Sequence, residues 1–328
     1  MNANDKLQFA GVAVVIGLLP LFFFNGTYEA RLLTQFLVFA ILVIGLNIVF
    51  GHTDQLFLFL GALAGTGTYI TALLAQLLGV SAWVTLLIGA ATAGLLGLIV
   101  SYIAAKRNFT VITIAVLTLA LQLAFIEFIS GARDITEGTT GFPFDGLTIG
   151  VLESALGLDP QLILYYTLAV LLIGTLTFYT WLINSRFGLA FDAIRQDEQA
   201  AESIGIDVVK YKTAAGCIGA GIIGLVGPFY AQAEGYVAPT MFAFQNIDVL
   251  VIIMLILGGI RTRYGPIVGA AAIIVLEQVL QQAGQWRLTL LGVLLVFLFL
   301  YFRSGIMPWV LTYANKARQR VGVPFSRT

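Results

Sequence analysis

The sequence predicts an all-α, polytopic membrane protein of about ten transmembrane helices, with both termini on the cytoplasmic side. Three observations carry that prediction. Hydrophobic residues make up 59% of the chain and charged residues only 10%, whereas a soluble domain is about a quarter charged. Apolar runs recur along the whole chain at the length of a crossing helix, about 20 residues. Basic residues fall on alternate connections, which sets an orientation.

In chain order the spans cover residues 7–24, 32–50, 56–78, 82–105, 109–130, 161–183, 213–233, 247–259, 265–283 and 288–302. The first lacks a small-residue cleavage site and reads as a retained span, not a signal peptide. The eighth and tenth are short for a full crossing, so nine is the alternative count. An internal N-terminus puts Lys6, Lys106, Arg107, Arg186, Arg195, Lys210, Lys212, Arg261, Arg263, Arg303, Lys316, Arg318, Arg320 and Arg327 on one side. Only Arg31, Arg133 and Arg287 fall on the other. Fourteen against three is a strong positive-inside bias. The whole chain, 1–328, reads as one membrane domain with two notable loops.

The first loop, 131–160, lies outside and carries Asp134, Glu137, Asp145, Glu153 and Asp159 against Arg133. Its Thr136–Pro143 stretch is turn chemistry. It is either a solvated connector or an acidic landing surface. The second loop, 184–212, is a polar island holding nine of the chain's 34 charged residues. Phe187, Phe191, Ile194, Ala201 and Ile204 recur there at helical spacing, with Arg195, Asp197, Glu198 and Glu202 on the other faces. Gly205 closes the pattern as a C-cap. This predicts one amphipathic helix projecting into water.

Within the spans, Gly216, Ala220 and Gly224 repeat every four residues, with Gly221 and Gly227 beside them. Small residues so spaced let helix backbones approach closely in lipid. Pro228 adds a kink or break. Intramembrane carboxylates are few: Glu127, Glu277 and, at a span end, Asp248. Glu127 is close enough to its helix end to snorkel. Glu277, Gln278, Gln281 and Gln282 line one side of the ninth span, as a pathway or as an interhelical hydrogen-bond seam.

Catalytic chemistry is missing from the pattern. There is no GxxxxGK[ST] phosphate loop, no GxSxG elbow, and only one histidine, His52, so neither a His-rich metal site nor a nucleophile–base pair is expected. Cys217, the lone cysteine, lies in an apolar glycine-rich run and reads as a small buried hydrophobe. The zero net charge says nothing about nucleic-acid or acidic partners, and no nucleic-acid partner is expected of a membrane protein of this kind. Buried carboxylates are too few for an ordinary proton- or sodium-coupled carrier, so the energy for transport is expected to come from elsewhere.

Several of these residues together carry a resemblance. Arg186-Phe187-Gly188, Ala193-Ile194-Arg195-Gln196-Asp197-Glu198, Ala200-Ala201-Glu202, Gly205-Ile206 and Tyr211-Lys212 are similar to the cytoplasmic signature of branched-chain amino-acid ABC transporter permeases. The match is to the LivM-like side of the LivH/LivM pair. It continues through Gly224-Leu225-Val226-Gly227, Tyr230-Ala231, Pro239, Leu257-Gly258-Gly259, Gly265-Pro266 and Gly269-Ala270, and earlier through Gly45-Leu46-Asn47 and Gly51.

The resemblance implies a non-enzymatic importer subunit in the inner membrane. Its partners would be a LivH-like second permease, two ABC ATPases that hold ATP and Mg, and an external solute-binding protein. The 184–212 island would be the coupling helix. Arg186, Phe187, Phe191 and Ile194 would dock it, and Arg195, Asp197, Glu198 and Glu202 would set its register. Asn47, Gln55, Glu277 and Gln278 are candidate pathway residues. Urea, short amides or aromatic acids are alternative cargoes, and an ion-coupled secondary transporter is the alternative of another class. Three departures stand out. Asp54-Gln55-Leu56-Phe57-Leu58-Phe59-Leu60 replaces most of a GQxSLGH stretch, and Arg261 and Glu137 stand where glycine is usual.

Overall fold

A glycine ridge decides which helix makes the closest crossings. In the computed structural model, which describes residues 3–23, 27–147, 159–281, 284–286 and short pieces as far as 309, that helix is α10 (Val208–Glu234). It packs on α2 (Thr27–Leu46), α3 (Leu60–Leu78) and, most extensively, α4 (Ala82–Lys106). The contacts are backbone to backbone. A Cβ on Gly227 would stand 2.1 Å from the Ala64 carbonyl oxygen, and one on Gly67 would stand 2.0 Å from that of Gly224. Gly216 and Ala220 meet Gly97 and Ser101 of α4 in the same way. The small-residue stripe therefore packs helices inside this one chain. Pro228 lies within α10, which runs on to Gly235.

Beside these four helices stand α1 (Ala3–Phe23), α5 (Val111–Gly131), α7 (Pro160–Ile183), α11 (Asp248–Gly258) and α12 (Gly265–Gln281), with a one-turn α6 (Arg133–Thr136) after α5. Six helices among the described residues are long and apolar enough to cross a membrane, and three shorter apolar ones accompany them. Only about half of the tenth predicted span, 288–302, is described, in separate short pieces, and Gln282 and 148–158 lie outside the described residues. The hairpin of α11 and α12 closes as tightly as the α10 crossings: Gly258 and Gly269 leave no room for a Cβ against Gly265 and Met254.

Two boundaries differ from the sequence reading. The third span begins at Leu60, not at residue 56, because 54–59 forms no regular element before the helix starts. The second span ends in a π-helical turn, Asn47–Gly51, an insertion often found at functional sites. The 131–160 loop is anchored as well as acidic. Its β1 (Phe142–Pro143) pairs antiparallel with β2 (Tyr236–Val237), just past α10.

Candidate functional site

The polar island folds as two helices, α8 (Arg186–Gln196) and α9 (Glu198–Ser203), instead of the single helix its periodicity suggests. Asp197 makes the break. Its backbone is extended, and its carboxylate accepts from the amides of Gln199 at 2.9 Å and Ala200 at 3.0 Å, capping α9. Such a cap competes with continuing the helix. Ser185 caps α8 by accepting from Phe187 N at 3.1 Å. Gly188 is required next, because a Cβ there would fall 1.9 Å from the Ile183 carbonyl oxygen where α8 folds back on α7. Gly205 follows α9 at φ +87°, the left-handed stop the sequence predicts.

The apolar face of α8 turns inward. Phe191 and Ile194 are fully buried within this chain. Phe191 packs on His52 and Tyr211, with ring centroids 6.2 and 6.4 Å away, and Phe187 stacks edge-on to Tyr211 at 5.5 Å. Ile194 clusters with Ala201 and Val208. These side chains anchor the island to its own bundle, so the outward face must be read from other residues. Leu189 and Ile204 stand out, at 73% and 74% exposed, among Arg186, Asp192, Gln196 and Glu202. Ile204 thus lies off the buried face on which its spacing put it.

The charges of the island are also engaged within the chain. Arg195 Nε lies 3.3 Å from Asp54 Oδ1, and Lys212 Nζ, almost buried, donates to Glu198 at 2.5 Å. Both pairs tie the island to the α2–α3 break and to the start of α10. Gln55 strengthens the join, donating through Nε2 to the Lys212 carbonyl oxygen at 3.0 Å and to Thr53 Oγ1 at 2.9 Å. Asn47 knits the π turn to two other elements. Its Nδ2 donates to Tyr179 Oη at 2.9 Å, and its Oδ1 accepts from Arg261 N at 2.9 Å. Asn47 and Gln55 are therefore buried ties between elements. His52 reaches the same Tyr179 hydroxyl at 2.9 Å, and burial holds its imidazole down at about 4, hence neutral.

The far end of the break is held by Asp248. This carboxylate is fully buried and accepts from Leu60 N at 2.6 Å and Gly61 N at 3.2 Å. Gln122 of α5 completes the start of α3, accepting from Ala62 N at 2.6 Å and donating to the Phe242 carbonyl oxygen at 2.7 Å. Three orphan amides of a buried helix start are thereby satisfied. The sequence places Asp248 at a span end but gives no sign of its partner nearly 190 residues away. Gln122 was legible as an amide in an otherwise apolar run, and was missed.

Glu277 and Gln278 sit at the opposite end of the bundle from the island. The Tyr28 hydroxyl donates to Gln278 Oε1 at 2.6 Å and also to Gln281, which joins α2 to α12. These residues border a cavity that also holds the Arg31–Glu234 ion pair. Among the described residues no group of three metal-binding side chains occurs.

The profile of the family described as "Branched-chain amino acid transport system / permease component" matches residues 29–300. The chain is 25% identical over 327 residues to the high-affinity branched-chain amino acid transport system permease protein LivM of Escherichia coli K12, covering 94% of this chain and 76% of that one. The LivM of Salmonella typhimurium LT2 is matched at the same identity and coverage. The probable branched-chain amino acid transport permease protein LivH of Methanocaldococcus jannaschii is 24% identical over 244 residues, which is 73% of this chain and 76% of that one. No solved structure matches. The multi-span helical bundle, the glycine-locked crossings and the profile match over most of the length agree: this chain is a multi-pass membrane protein and belongs to the branched-chain amino acid transport permease family.

Proposed function

We propose that the chain is one permease subunit of an ATP-driven importer that carries a small apolar amino acid inward across the inner membrane. Both termini and the α8–α9 pair are cytoplasmic in this reading, as the distribution of basic residues requires. The observation that carries it is the outward face of α8–α9, where Leu189 and Ile204 stand exposed in an island otherwise built to sit in water. An ATPase docks there, with those two side chains as apolar anchors within a polar rim. Arg186 and Glu202 lie on that rim, while Phe187, Phe191, Ile194, Arg195, Asp197 and Glu198 make the helix pair stiff enough to transmit a push. Displacement of α8–α9 pulls on Asp54 and Gln55, and through residues 54–59 on the start of α3 at Asp248. The LivH-like second permease and an external solute-binding protein complete the assembly. ATP and Mg belong to the ATPase subunits.

The test is a mild-detergent pull-down together with uptake of labelled leucine. Wild type should recover Walker-motif ATPases and take up leucine. Leu189→Glu should lose both while the subunit remains in the membrane at normal abundance. A chain that purifies alone and transports in liposomes on an ion gradient would replace this reading with a secondary carrier.

A further inference from the structure

The Arg31–Glu234 ion pair separates two cavities at the end of the bundle opposite α8–α9. Both cavities are bordered by Tyr28, Arg31 and Glu234. The larger, about 530 Å³, adds the apolar walls of Leu147, Ile163 and Leu164. The smaller, about 290 Å³, adds Glu277 and the amides of Gln278 and Gln281. The larger has the size of a small-molecule site, for which about 300–1,000 Å³ is usual. Glu234 is nearly buried, whereas half of the Arg31 side chain is open and so reachable from the mouth.

We propose that this pair is a binding site for a zwitterionic α-amino acid with an apolar side chain, a role that rests on the importer reading above. The planar guanidinium of Arg31 matches a carboxylate bidentately. The carboxylates of Glu234 and Glu277 supply acceptors for an ammonium group, and Leu147, Ile163 and Leu164 take the alkyl side chain. The ion pair is what makes the site selective. A zwitterion inserted between Arg31 and Glu234 gives each of them a new partner of the right sign, so opening the pair strands no charge. A carboxylate lacking the ammonium leaves Glu234 without its partner, and an amine lacking the carboxylate does the same to Arg31. Stranding the nearly buried Glu234 is heavily penalised, and an amine also forgoes the bidentate contact with Arg31. Amides and simple acids are therefore excluded.

The experiment is leucine uptake by vesicles carrying the full chain with its partner subunits. It compares wild type with the exchange variant Arg31→Glu/Glu234→Arg. The exchange restores an ion pair, so the bundle keeps its tie, but a ligand turned end for end points its side chain off the apolar wall. The expected result is normal abundance of the assembled complex with the uptake rate, at leucine well below half-saturation of the wild type, down at least about tenfold, as loss of charge-assisted contacts gives. Wild-type uptake by the exchange variant would overturn the site and leave the importer reading intact. A wild-type complex that recovers its ATPases yet carries no amino acid would overturn the site and the cargo class together. A second measurement needs no exchange: Thr167, which borders the larger cavity, is replaced by Cys in a Cys217→Ser background. Leucine should slow maleimide labelling there, and leucinamide and 4-methylpentanoate should not. Equal labelling with and without leucine refutes the proposal.

Discussion

Adding one methyl group at Gly227 should do more damage than adding one at Gly221, six residues earlier on the same helix. At Gly227 the new Cβ would lie 2.1 Å from the Ala64 carbonyl oxygen and 2.8 Å from Thr68 Oγ1. Ordinary contact begins at 3.4 Å, so the shortfall is 1.3 Å, and it faces backbone that cannot rotate away. Relief requires α10 and α3 to part, which also loosens the Gly67–Gly224 approach. Overpacking of this kind costs about 1–3 kcal/mol, and rigid backbone on both sides puts Gly227→Ala toward the upper end. At Gly221 the nearest atom to a Cβ is 3.7 Å away. Gly221→Ala relieves the entropic penalty of a mid-helix glycine, worth about 0.5–1 kcal/mol. The two variants should therefore differ by about 1.5–4 kcal/mol, with opposite signs relative to wild type. Thermal unfolding in mild detergent, with the yield of monodisperse subunit, measures this. Equal stability of the two variants would refute the reasoning that backbone contact, and not helix propensity, governs the α10 crossings.

Two further changes follow from the interior. Asp248→Ala should lower stability by about 1–3 kcal/mol for each buried amide it leaves unpaired at Leu60 and Gly61, and Asp248→Asn, which keeps one acceptor oxygen, should lose less. The same unfolding assay reads both, and a neutral alanine variant would show that the start of α3 has another cap. Arg261→Gly should raise stability by up to about 1 kcal/mol, because Arg261 holds φ +66° where only glycine is unstrained. The variant keeps the Arg261 amide that donates to Asn47, so a destabilised variant would mean the side chain itself makes a needed contact.

One position in each of the three departures noted in the sequence shares a backbone feature. Asp54, Glu137 and Arg261 all adopt positive φ, at +52°, +57° and +66°. The turns survive without glycine, and this chain carries the strain at each of them. The side chain of Asp54 gains a partner in return, the ion pair with Arg195.

The sequence by itself determined what depends on local chemistry. Spans follow from apolar length, the stop at Gly205 from its lack of a Cβ, and the helix stripe at Gly216–Gly227 from spacing. The water-seeking island follows from its charge. Each of these is set within a few residues along the chain. Tertiary structure decided everything that depends on which distant groups meet. Phe191 and Ile194 turned inward because His52, Tyr211 and Val208 offered an apolar seat, which left Leu189 and Ile204 outside. Asp248 became the cap of α3, and Arg31 met Glu234, across separations of 188 and 203 residues. Periodicity reports that a helix has two faces. Only the packed bundle shows which face is covered, and by what.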